Sequence, residues 1–132
     1  MKKEYTFWTT NDWFGEYYYG FCPSVTAWQK TFKNIRQGNS GIPPYPSSQA
    51  CTYSFDSRNY NVKGPCSLVT ITGDENRSPT QVAGLLVHEA VHIKQLILRD
   101  AGEDNVGDET EAYLVQRIAQ DLMVWYTQSR VV

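Results

Sequence analysis

Cysteine is scarce and scattered in this chain. Cys22, Cys51 and Cys66 are the only three. No two of them form a C-x-x-C pair, which excludes the common zinc-ribbon and dithiol redox motifs. The odd count favours free thiols, and one disulfide, such as Cys51 to Cys66, is the alternative in an oxidising compartment. Net charge is small, with 12 basic against 14 acidic residues. The basic residues are dispersed and form no aromatic-basic stripe, so neither nucleic acid nor an anionic membrane surface is an expected partner. Long apolar runs are also missing. The most apolar stretch, Val82 to Leu98, is broken by His88, Glu89, His92, Lys94 and Gln95, and this excludes a membrane-spanning helix. Met1-Lys2-Lys3-Glu4-Tyr5 is basic but has no apolar h-region behind it. The expected location is the cytoplasm, unless a signal has already been removed. There are no repeats and no low-complexity tract.

What is present is apolar and aromatic. The 132 residues are 41% hydrophobic, with nine Tyr, five Phe and four Trp, enough for one core and a single domain spanning residues 1–132. Tyr5 to Thr10 reads as a strand. Tyr17 to Phe21 is either a second strand or part of an aromatic loop. Thr26 to Ile35 reads as a helix with Trp28, Phe32 and Ile35 on one face, Pro23 or Ser24 near its start and Gly38 after its end. Gly38 to Ser48 is a loop rich in Gly, Pro and Ser. Ala50 to Phe55 and Ser67 to Thr72 read as paired strands. Ser78, Pro79 and Gln81 announce a helix running from about Ser78 to Arg99: an N-cap, a proline at the first helical position and a capping-box partner. Gly102 stops it. A second long helix runs from Asp108, with Glu111 at its capping-box position, to about Tyr126. Its expected buried face is Ala112, Val115, Ile118, Ala119 and Leu122.

The only histidines are His88 and His92, in the run His88-Glu89-Ala90-Val91-His92. This is H-E-x-x-H within a predicted helix. Residues four apart share a helix face, so both imidazoles can hold one Zn2+ and Glu89 can reach a metal-bound water as general base. Burying these three polar residues without partners would be costly. A catalytic zinc normally takes three protein ligands. Between Asp100 and Glu111 the chain offers Asp100, Glu103, Asp104, Asp108, Glu109 and Glu111. Glu111 shares a predicted face with Val115, Ile118 and Leu122.

The motif, with Glu109-Thr110-Glu111-Ala112 on the following helix, resembles the gluzincin branch of zinc metallopeptidases over Val82 to about Gln116. The resemblance implies Glu109 as third ligand, with Glu111 as its competitor. Tyr113 stands where some gluzincins have a supporting aspartate. The implied fold is α+β, a compact zincin-like domain with a small, mostly antiparallel sheet against two long helices and one shorter one. It also implies that the strand Ser67 to Thr72 lines the cleft and pairs with extended substrate.

The expected function is zinc-dependent hydrolysis of peptide or amide bonds in a peptide or protein substrate. Zn2+ would sit on His88, His92 and Glu109, with Glu89 activating water. A tyrosine is an attractive oxyanion donor, but spacing does not rank the candidates. The aromatic residues around Trp13, Phe14 and Tyr17 to Tyr19 are either core or cleft wall. The alternative function is a non-catalytic, zinc-stabilised module that binds a protein partner.

Overall fold

A computed structural model describes residues 2–131. The chain is α+β: β1 (Phe7–Asn11), β2 (Tyr17–Phe21), α1 (Val25–Ile35), β3 (Ala50–Phe55), β4 (Cys66–Ile71), α2 (Pro79–Asp100) and α3 (Asp108–Ser129), with a short 3-10 turn at Asp74–Asn76. The strands form one sheet in the order β1-β2-β4-β3. β1 with β2 and β3 with β4 are antiparallel, and β2 with β4 is parallel. The sheet is therefore mostly antiparallel, as expected. No helix among the described residues is long and apolar enough to cross a membrane.

The period-two alternation of the strands sorts the core into two layers. Tyr17, Tyr19, Phe21, Val69 and Ile71 face α2 and α3, where they meet Leu86, Ile93, Leu114 and Ile118. Leu68, Cys66 and Phe55 face the opposite side, against Trp28 and Phe32 of α1. β4 is buried at all six positions because helices cover both of its faces. Each large apolar side chain so enclosed contributes roughly 1.5–3 kcal/mol. Gly20 is needed where β2 meets β1: a Cβ there would lie 2.2 Å from the Phe7 carbonyl oxygen.

The helix ends follow their local chemistry. The Ser78 hydroxyl accepts from the Gln81 amide while the Gln81 side chain accepts from the Ser78 amide, a complete capping box. Gly102 adopts φ +70°, the left-handed conformation that ends α2. Glu103 N–H closes the turn on the Leu98 carbonyl at 2.9 Å. At α3 the expectation fails in detail. Gly107 is the N-cap, without a side-chain cap bond, and Asp108 is already helical. The buried residues of α3 are Leu114, Ile118, Ala119, Leu122 and Ser129, whereas Ala112 is exposed.

The strand register also decides the cysteines. Cys51 stands opposite Thr70, and Cys66 opposite Phe55. Four rungs separate them, roughly 13 Å of strand, too far for a disulfide. All three cysteines are free thiols.

A buried ion pair joins the turn after β4 to the end of α3. Arg130 donates to Asp74 through Nε (2.9 Å to Oδ2) and Nη2 (3.3 Å to Oδ1), and Tyr126 donates its hydroxyl to Oδ2 at 2.8 Å. Burial alone would raise the Asp74 carboxyl, but hydrogen bonds from Arg130 and Tyr126 outweigh it and hold the group below its ordinary value. A depressed carboxylate stabilises the fold above its unfolded pKa and loses that contribution as pH falls through the native one. Asp74→Ala should therefore cost about 1–3 kcal/mol in urea unfolding, because it removes the acceptor of Arg130 and Tyr126 while Arg130 Nη1 keeps the Pro23 carbonyl and Ser129 Oγ. Below about pH 4 the wild-type midpoint should fall more steeply than that of Asp74→Asn.

Candidate metal and peptide site

α2 lies against the sheet through Val82, Leu86, Ala90, Ile93 and Ile97, and Glu89 belongs to that buried face. Glu89 is only 4% exposed. Its Oε1 accepts a 2.8 Å hydrogen bond from the Thr52 hydroxyl on β3. Its Oε2 accepts none among the described residues, yet is not sealed from solvent. One carboxylate oxygen is thus anchored, and the residue lines the adjoining recess.

His88 and His92 flank this carboxylate on the exposed side of the helix. They are not core residues, contrary to the expectation drawn from their apolar neighbours. Their Nε2 atoms converge to 3.1 Å, and His92 Nδ1 lies 3.3 Å from Gln95 Oε1. The two Nε2 atoms share a hydrogen bond when one of them carries the proton, and without that proton both lone pairs are available to a metal. Two nitrogens bonded to one tetrahedral zinc at 2.0–2.1 Å stand about 3.3 Å apart. The pair therefore fits two ligand positions of a zinc ion, and Gln95 supplies the outer contact that fixes one ring's orientation.

The third ligand does not join them. Among the described residues no group of three or more His, Cys, Asp or Glu side chains is placed to hold a metal ion. The resemblance to gluzincins is corrected on this finding. The physical reason is the rotation of α2. Glu111 pairs with Lys94 at 3.5 Å, and Lys94 is about 200° around the helix from His92. The first turn of α3 thus packs on the side of α2 away from the histidines. Glu109, in that same turn, is exposed. Glu111 is exposed as well and does not point into the core. No protein-family model, curated protein or solved structure matches the chain.

The sheet order changes the identity of the strand beside the site. β4 lies between β2 and β3, so it cannot accept an added strand. β3 is the edge. With α2 it walls a recess of about 440 Å³ lined by Thr52, Ser54, His88, Glu89, His92 and Arg99, among others. A second recess of about 410 Å³ adjoins it, sharing Ser54, Leu96 and Arg99. No tyrosine lines the histidine recess; Tyr17, Tyr53 and Tyr60 line the neighbouring one. Trp13 is exposed and Tyr19 lies in the core. Tyr17 is also core, with its hydroxyl bonded to Ser67 Oγ at 2.7 Å. Burial raises the Tyr17 phenol, and the bonds to Ser67 and Ser54 only partly offset it. Cys51 also lines the histidine recess. Burial first, then the charge of Glu89, push its thiol up, so it is protonated at neutral pH and unsuited to attack as a thiolate.

Thr52, Gln95 and Arg99 were invisible as site residues in the motif. Gln95 had a local signal, its three-residue spacing from His92. Thr52 had none, because it arrives from another element. Replacing Thr52 with Val should leave the buried Glu89 oxygen without its donor and cost about 1–3 kcal/mol. Glu89→Gln should cost less, since the amide oxygen still accepts from Thr52. Thermal unfolding of the two variants measures the difference.

Proposed function

We propose that the chain hydrolyses peptide or amide bonds, using zinc held by His88 and His92 and Glu89 as general base. The observation that carries this reading is the convergence of the two Nε2 atoms at 3.1 Å in the recess that Glu89 also lines, its carboxylate anchored by Thr52 through one oxygen. Bound zinc supplies Lewis acidity, polarising a carbonyl and lowering the pKa of water. The chain's own residues do the rest. Thr52 fixes the Glu89 carboxylate, Gln95 fixes the His92 ring, and Glu89 Oε2 takes the proton of the attacking water and can return it to the leaving amine.

The substrate fits along β3. In an antiparallel pair, hydrogen-bonded and non-bonded residue pairs alternate. Thr72 N–H bonds the Gln49 carbonyl, which makes Cys51, Tyr53 and Phe55 the residues bonded to β4. The backbone groups of Thr52 and Ser54 consequently point outward, beside the histidines. An extended peptide can pair with them as an added strand.

A second reading, a non-catalytic module that docks a protein on the same edge, is favoured by the lack of a third side-chain ligand among the described residues. Zinc stoichiometry in metal-free buffer, paired with turnover of a peptide library, separates the two. About one zinc per chain is expected, lost in His88→Ala and kept in Glu89→Gln. Turnover should fall by about 10²–10⁴-fold in Glu89→Gln. Full turnover in that variant would remove Glu89 from its role. Protein that takes up no zinc would leave the docking module as the reading.

A further inference from the structure

We propose that Arg99 gives the groove a preference for extended peptides bearing an acidic side chain, two or four residues from the one that faces the histidine pair. The position of the histidines as the reacting end rests on the hydrolase reading. The charge preference itself is a property of binding.

His88, His92, Gln95 and Arg99 are spaced by four, three and four residues, which places them in one stripe along α2. All four line the same recess. Arg99 closes its far end and also lines the neighbouring recess, some 10 Å along the helix axis from His92. β3 runs in the same sense as α2: Thr52 meets Glu89, while Phe55 and Asp56 share a recess with Arg99 and Asp100. A strand added to Thr52 and Ser54 would therefore lie alongside the stripe. Its same-facing side chains repeat every 6.6–6.8 Å or so, and the flexible Arg99 side chain spans the remaining distance.

Arg99 has no carboxylate within 4.0 Å and no side-chain hydrogen bond among the described residues, although it is exposed at the groove. The other arginine of the neighbouring recess is already committed, since Arg58 pairs with Asp56 at 2.8 Å. Asp56 and Asp100 are the opposing charges nearby, but both line only the neighbouring recess and not the one that holds the histidines, and Asp56 is paired with Arg58. Glu89 occupies the other end. The end of the histidine recess formed by Arg99 is thus cationic, and a guanidinium there can take a peptide carboxylate through two parallel N–H···O bonds.

Binding of dye-labelled heptapeptide pools, each with Asp, Asn or Lys fixed at one position, would be measured by anisotropy on zinc-treated Glu89→Gln protein. A second series would carry Arg99→Gln or Arg99→Glu as well. The expected result is roughly tenfold tighter binding of the Asp pool at one or two positions. The preference should vanish with Arg99→Gln and turn toward Lys pools with Arg99→Glu. Circular dichroism of each variant checks that α2 is intact. Equal binding of Asp and Asn pools, a preference that survives Arg99→Gln, or no binding of any pool would overturn the proposal. Incubating the same pools with the wild-type chain and zinc reads the hydrolase question separately. Pools bound with the preference but never cut would sink the hydrolase reading alone, while pools cut without preference would sink the role of Arg99 alone.

Discussion

The apolar stripe Val82, Leu86, Ala90, Ile93 and Ile97 sets the rotation of α2 on the sheet, the hydrogen bond from Thr52 lets Glu89 sit within that stripe, and the arrangement of the groove follows. A carboxylate on the apolar face of a helix is tolerated only where a donor meets it. β3 supplies that donor at one rung. With Glu89 turned inward, His88 and His92 come to the rim above the edge strand, while Lys94 is carried round toward α3. The same rotation that brings the two imidazoles together keeps the acidic first turn of α3 away from them. The histidine pair and the missing third ligand are two results of one helix orientation.

Much of the secondary structure was legible because it is written in local chemistry. Ser78, Pro79 and Gln81 mark the start of α2 and Gly102 marks its end, and each does so within a few residues. The aromatic alternation of Tyr17 to Phe21 resolves as a strand whose two faces serve different core layers. What was not legible depends on residues far apart in the chain. Ser67 to Thr72 has the composition of a strand that could lie anywhere in a sheet. Only its pairing with both β2 and β3 makes it interior and passes the edge to Ala50–Phe55. Glu111 has the spacing of a core residue, but a helix face is buried only where another element covers it. The apolar neighbours of His88 and His92 suggested burial, yet Val87 is itself exposed.

The candidate site was therefore half readable. The histidine pair follows from four-residue periodicity, and Glu89 from its place in the H-E-x-x-H run. The contributions of Thr52, Ser54 and Arg99 follow from β3 and α2 running side by side in one direction, a relation that no short motif encodes. The expected third ligand came from resemblance, and it fails on the packing of α3 rather than on residue chemistry.

The parallel pairing of β2 with β4 bears on how the chain reaches this state. The β1–β2 hairpin, the β3–β4 pair and the α2–α3 hairpin all form between near neighbours. Tyr17 and Ser67, by contrast, are bonded across 50 positions. Closing a loop of that size orders the intervening chain before much burial rewards it. Joining the hairpin to the rest of the sheet is thus the entropically expensive event of folding, and it sets the contact order that slows mixed folds relative to helical ones. Until that junction closes, β4 is itself an open edge, so the apolar run Leu68-Val69-Thr70-Ile71 is the segment of this chain most exposed to pairing with the wrong partner.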